Sequence, residues 1–133
     1  MRLLLIRFVP FVALLIALGC TPSGPRKIDV SGTVKYDGKE IAEGDIIFQS
    51  TDKTAGPDGA KIVGGKYTIQ AREGKNMVEI RATRTVPGKK GPMGEDWVEE
   101  FIPAEYNEKT TLTADVKSSG NSNVNFELNS PKK

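Results

Sequence analysis

Residues 28–50 read "IDVSGTVKYDGKEIAEGDIIFQS", and the first nine of them alternate without a break. Ile28, Val30, Gly32, Val34 and Tyr36 share one parity, while Asp29, Ser31, Thr33 and Lys35 share the other. A period of two is that of an extended strand with one face buried and one wet. Asp37-Gly38 follows at once, and both residues tolerate the positive φ that a tight hairpin requires. Asp45–Ser50 then reads as a second strand, with Ile46 and Phe48 facing inward and Ile47 facing the opposite way.

The same pattern continues downstream. Residues 51–60 are a Gly/Pro/Asp loop, followed by a short strand at Lys61–Gly64 and a stronger one at Lys66–Ala71, where Tyr67, Ile69 and Ala71 share a face. "REGKN" turns the chain into Met77–Arg84, in which Val78, Ile80 and Ala82 alternate with Glu79, Arg81 and Thr83. Leu112, Ala114 and Val116 alternate, as do Val124, Phe126 and Leu128, with the turn-rich "SSGNSN" between the two sets. No segment after residue 27 has a helical period. Seven short strands joined by Gly-, Asn- and Pro-bearing connections predict an all-β domain over 28–128. The expected form is a seven-stranded antiparallel sandwich, with 129–133 as a tail.

These segments also carry a resemblance. Gly32/Val34, Asp37-Gly38-Lys39, Phe48, Gly65/Tyr67 and Gly74-Lys75 leading into Val78 resemble the carboxypeptidase regulatory-like, or transthyretin-like, β-sandwich. The closing run "IPAEYNEKTTLTADV…NVNFEL" resembles the end of the same domain in small bacterial lipoproteins. The likeness implies a Greek-key (prealbumin-like) fold. It implies no chemistry, because this fold hosts many functions. The hydrolase best known in the class depends on histidines, an arginine and a Tyr-Arg-Gly-Ser carboxyl terminus. This chain has no histidine and ends "NSPKK", so that activity is excluded.

Upstream, Met1–Arg7 holds two arginines and no acid, and Phe8–Gly19 is twelve residues without a charge. That is the layout of a secretory signal, and it is short of the ~20 apolar residues a membrane span needs. Gly19-Cys20 resembles the bacterial lipobox junction, with Ala17 and Leu18 in the reverse of the usual order. The resemblance implies cleavage between Gly19 and Cys20 and a covalent lipid on the Cys20 sulfur. Residues 1–19 are then a signal peptide, and residues 20–27 are a lipidated cysteine with a short Pro/Gly/Ser tether. Seven tether residues at about 3.3 Å each hold the domain within about 23 Å of its membrane. Thr21 after the cysteine favours the outer membrane over the inner in organisms that sort by that residue.

Composition bounds the chemistry. Lysine and arginine number 19 against 17 acids; loss of Arg2 and Arg7 with the signal leaves 17 against 17. A near-neutral domain makes no case for nucleic acid or for acidic membrane surfaces as partners. With one cysteine and no histidine, imidazole-activated nucleophiles and Cys/His metal sites are unavailable. Asp52 and Asp58 lack the spacing of a calcium loop. Glu95, Asp96, Glu99 and Glu100 read as a solvated surface rather than as a catalytic carboxylate pair. No catalytic residue, metal or cofactor is expected beyond the lipid.

Residues 85–109 show no clear strand pattern, and a loop of that length in a compact domain is usually functional or disordered. It holds the only tryptophan, Trp97, with Phe101 and Tyr106, between the basic "GKKG" and the acidic residues. Aromatics beside mixed charge make a contact surface. Trp97, Phe101, Ile102 and Tyr106 can equally fold back as a lid over the open end of the domain, with Lys89, Lys90 and the acids solvated above. The lid is the favoured arrangement, because a lone tryptophan is commonly needed for packing. The functional expectation is a lipid-anchored, non-catalytic module that binds or scaffolds envelope proteins. The alternative is a carbohydrate- or peptidoglycan-binding module that stacks sugars on the Trp97/Tyr106 region.

Overall fold

The computed structural model describes residues 26–53 and 55–132. Gly19, Cys20, the signal segment and the tether up to residue 25 lie outside the described residues. The described chain is all-β apart from one 3-10 turn at Ala104–Tyr106. Its strands are β1 Lys27–Tyr36, β2 Lys39–Glu40, β3 Glu43–Ser50, β4 Asp58–Val63 and β5 Lys66–Arg72. They continue with β6 Gly74–Arg81, β7 Thr83–Lys90, β8 Asp96–Glu100, β9 Thr113–Val116 and β10 Phe126–Leu128.

One sheet runs β10-β1-β5-β4-β3-β6-β9, with β2 hairpinned onto β1, and β7-β8 forms a separate pair. β4 and β5 are joined through Gly64-Gly65, both at positive φ, and pair at a single position, Val63 with Lys66. Beyond that hairpin the two halves part and the sheet curls, so that Phe48 of β3 meets Tyr67 of β5 and Phe126 of β10. The ring centroids in that cluster lie 6.2–6.5 Å apart.

The segments read as strands from their alternation coincide with these strands in their centres, with the expected inward faces. The bounds shift: Leu112 and Val124 precede β9 and β10, and residues 58–60, expected in a loop, begin β4. Ile28, Val30 and Val34 of β1, Ile46 and Phe48 of β3, Tyr67, Ile69 and Ala71 of β5, and Val78 and Ile80 of β6 are all buried. Gly32 takes an inward position of β1 without a side chain, because the backbone carbonyl of Val124 occupies the space a Cβ would need. Tyr67 donates its hydroxyl to that same carbonyl at 2.7 Å.

The count and the directions differ from expectation. The main sheet has eight strands because the Asp37-Gly38 turn pairs two further residues, β2, back onto β1. It is not wholly antiparallel: β10 runs parallel to β1, with Val34 opposite Phe126. The chain leaves β9 and crosses to the edge of β1 that β5 does not occupy, arriving in the direction of β1. The strand expected at Met77–Arg84 is divided at Ala82, beyond which the chain leaves the sheet for β7.

The register also fixes the two ends of the domain. Lys27 pairs with Arg72 where β1 begins, and Ser50 lies opposite Asn76 there. At the other end Gly64 and Gly65 donate to Ala42 and Ile41, and β6 terminates at Arg81. The eight residues of β6, at about 3.3 Å each, put the root of β7 about 25 Å from the end where β1 starts.

Candidate functional site

The 85–109 segment is not an open loop. β7 and β8 pair as a hairpin through Thr83–Glu100, Arg84–Glu99 and Thr85–Val98, then shift register before Lys90 meets Asp96. Four residues, Val86 to Lys89, face a single residue, Trp97. Pro87 has no N–H to give to the ladder and Gly88 takes φ 76°, so the strand bulges there.

Cross-strand charge pairs hold the hairpin. Arg84 donates through Nε and Nη2 to Glu99 Oε1 at 3.0 and 2.8 Å, and Lys90 Nζ lies 2.6 Å from Asp96. Lys89 Nζ sits 4.1 Å from the centre of the Trp97 ring, a cation–π contact on one face of the indole. The tip is pre-formed: Gly91 N–H donates to Glu95 O, Gly94 N–H to Gly91 O, and Met93 N–H to the Glu95 carboxylate. What the tip presents is apolar. Met93 is 94% exposed, Val98 53% and Trp97 38%.

At its root the hairpin is welded to the domain. Phe101 N–H donates to Ala82 O, its ring meets Tyr36 edge-on at 5.6 Å, and the Arg84 guanidinium lies over the ring, 5.6 Å from its centre. Ile102 is 4% exposed. The Asn107 amide donates to Glu100 Oε1 and to Ile102 O, and the Thr110 hydroxyl donates to Val78 O at 2.6 Å. Tyr106 exchanges hydrogen bonds with the backbone of Asn129, and Ser130 N–H donates to Asp37, so the carboxyl-terminal tail is tied to this end as well.

The three aromatics are therefore not one surface. Phe101, Ile102 and Tyr106 do fold back over the end of the domain as expected of a lid. Trp97 does not join them; it stands on the hairpin, partly wet. The physical reason is distance along the arm: Trp97 stands four residues out from Phe101, which is bonded to Ala82 at the root, and Lys89 across the bulge supplies its packing instead. The acids are not free either. Glu95 caps the tip, Asp96 and Glu99 hold lysine and arginine, and Glu100 accepts from Asn107 with Arg81 3.9 Å away.

Two clefts flank the root. One, of about 510 Å³, runs between β3, β4 and β6 and is lined by Asp45, Lys61, Arg81 and Glu100 among others. The other, of about 450 Å³, has an apolar wall of Tyr36, Ile41, Ala42 and Phe101 with Arg84 at its mouth. Far from both, Asp58 is buried and paired with Lys27 at 2.8 Å and Arg72 at 3.8 Å, while Asp52 accepts from the Ser50 hydroxyl. Among the described residues no group of three or more acids, histidines or cysteines is arranged to hold a metal ion.

No family model, curated protein or solved structure matches this chain.

Sequence reasoning missed the hairpin because its ladder depends on charge pairs rather than on apolar alternation. The signal was nevertheless present: Lys89-Lys90 and Glu95-Asp96 bracket Gly91-Pro92-Met93-Gly94, opposite charges across a turn.

Proposed function

We propose that the chain is an envelope protein held to its membrane by a lipid on Cys20, and that it acts without catalysis as a binding or scaffolding module through the β7–β8 hairpin. The observation that carries this reading is the tip. A turn closed by three hydrogen bonds displays Met93 almost wholly to solvent, with Trp97 and Val98 beside it. An apolar residue held rigidly in water gains nothing for the domain, whereas a partner that covers it gains contact area with little ordering cost. The hairpin also leaves the domain at the end opposite Lys27, so a partner has room to approach while the lipidated Cys20 tethers the other end.

We also propose that the curled sheet is a prealbumin-like Greek-key sandwich. The spatial order β6-β3-β4-β5 supports this, being three successive strands with the fourth returned beside the first.

The test is site-specific photocrosslinking in intact cells, with the crosslinker at position 93 or, as a control, at position 66 on the exposed side of β5. A discrete adduct from 93 that is absent from 66 and weakened by Trp97→Ala supports the hairpin as the contact. An adduct that runs with peptidoglycan fragments makes the partner a glycan. Equal labelling from both positions, or none from 93, overturns the reading. The anchor is tested separately: Cys20→Ala should block acyl labelling and leave the larger precursor.

A further inference from the structure

We infer that the end of the domain where β1 begins is a docking face for an anionic membrane surface, and that it holds the hairpin pointing away from the bilayer. The inference deepens the proposed function and rests on its reading that the segment preceding Arg26 attaches the chain to a membrane.

A neutral composition hides an uneven distribution. Six cations collect at this end: Arg26, Lys27, Lys53, Arg72, Lys75 and Lys117. Lys27 lies opposite Arg72, and Glu73 N–H donates to Arg26 O. Thr51 N–H donates to Lys75 O, with Lys53 in the turn just beyond. Gly74 lies opposite Val116, which Lys117 follows. The carboxylates at the same end are Asp29, Asp52, Asp58, Glu73 and Asp115; Asp29 lies beside the turn that follows Lys117, and Asp58 is buried against Lys27 and Arg72. Around the hairpin the balance reverses, with seven carboxylates against five cations between residues 79 and 109.

Pairing is partial at both ends. Toward the hairpin Lys61, Arg81, Arg84 and Lys90 each have a carboxylate within 4.0 Å while, among the described residues, Lys66 and Lys109 form no ion pair, and at the β1 end Lys27 and Arg72 share Asp58. Among the described residues, Arg26, Lys53, Lys75 and Lys117 form no ion pair, and all four are exposed. Unpaired lysines and arginines close to a bilayer are drawn to anionic headgroups over roughly a Debye length.

The occupant is indicated by where the chain comes from. Cys20, the proposed lipid site, lies six residues upstream of Arg26, where the chain enters the described domain in the middle of the cationic cluster. A segment that attaches to a membrane therefore delivers this face, rather than the acidic hairpin end, to the lipid surface. The buried Asp58 links the first residue of β1 to β4 and β5, so the attached end cannot swivel freely against the sheet.

The experiment places a dye at the exposed Ser118→Cys or at Met93→Cys in the full chain, with Cys20 blocked by its lipid. The protein is reconstituted in phosphatidylcholine vesicles with or without phosphatidylglycerol, each carrying a headgroup nitroxide quencher. Quenching at position 118 should rise about twofold or more when phosphatidylglycerol is present and fall back at high salt. The dye at position 93 should stay unquenched in both. Arg26→Glu with Lys75→Glu should remove the phosphatidylglycerol-dependent part.

Equal quenching at 118 in the two vesicle types, or stronger quenching at 93 than at 118, overturns the inference. The same pair of dyes in a Cys20→Ala background, which keeps the apolar run, separates the two readings. If membrane retention in cells is independent of Cys20 but the 118-versus-93 contrast persists, the lipid on Cys20 is wrong and the docking face stands. If retention needs Cys20 but the contrast is absent, the anchor stands and the docking face is wrong.

Discussion

The curled sheet and the β7–β8 hairpin are both antiparallel β-structure, yet they are held together by different forces. Within the sheet, Val30, Val34, Ile46, Phe48, Val78 and Ile80 are almost completely removed from water, and burial of apolar area supplies the stability. The hairpin buries almost nothing beyond its root. Its ladder is sustained by Arg84–Glu99, Lys90–Asp96, the Lys89–Trp97 contact and a hydrogen-bonded tip. Exposed pairs of this kind contribute about 0–1 kcal/mol each. The lesson is that the sheet can lose no large side chain cheaply, whereas the hairpin can change its surface without endangering the fold.

The largest expected effect tests the sheet. Phe48→Ala removes a ring shared with Tyr67 and Phe126 across the two halves and should cost about 3–5 kcal/mol in denaturant melts. A loss below about 1 kcal/mol would mean the halves are not joined by that cluster. Next is Gly32→Ala, which drives a methyl into the Val124 carbonyl and should cost about 1–3 kcal/mol through displaced backbone. A neutral result would break the close approach of the 121–125 crossing to β1.

Tyr67 gives a pH test. Burial raises its phenol above the ordinary 10.0, so the folded state holds a proton that the unfolded chain releases. Its contribution is intact below pH 10 and declines as pH climbs from there toward the raised folded value, because the unfolded state then binds fewer protons. Tyr36 is raised too, first by burial and then by Asp37. Tyr67→Phe should therefore reduce the alkaline slope without abolishing it, and should cost about 0.5–1.5 kcal/mol at neutral pH from the lost bond to Val124. An unchanged alkaline limb in urea melts would count against the buried hydroxyl.

The smallest expected effect belongs to the hairpin. Trp97→Ala should lower stability by no more than about 1 kcal/mol, since the ring's principal contact is a half-solvated lysine. Its fluorescence in the wild type should be readily quenched by iodide. A blue-shifted, protected Trp97 together with a large stability loss would erase the distinction between the two regions.

Local pattern carried far into this fold. Strand positions and inward faces followed from alternation at Ile28–Tyr36, Ile46–Phe48, Tyr67–Ala71 and Val78–Ile80, because a period of two leaves a strand only one way to hide its apolar face. The turn at Asp37-Gly38 was equally legible, since few residues tolerate positive φ, whereas Gly64, expected at the end of a strand, belongs with Gly65 to the turn after β4. Of the candidate contact residues, the sequence showed which aromatics were present but not how they divide.

The remainder belonged to tertiary structure. Which edge of β1 receives β10, and in which direction, depends on what β5 already occupies and not on residues 126–128. The sorting of Trp97 from Phe101 and Tyr106 depends on the hairpin's register, set by a bulge and by partners on the facing strand. The charge imbalance between the two ends comes from strand directions that bring Arg26, Lys53, Lys75 and Lys117 together from four distant points of the chain. Alternation is a local property and survives in one dimension; pairing, direction and charge clustering are relations between segments, and only the folded chain contains them.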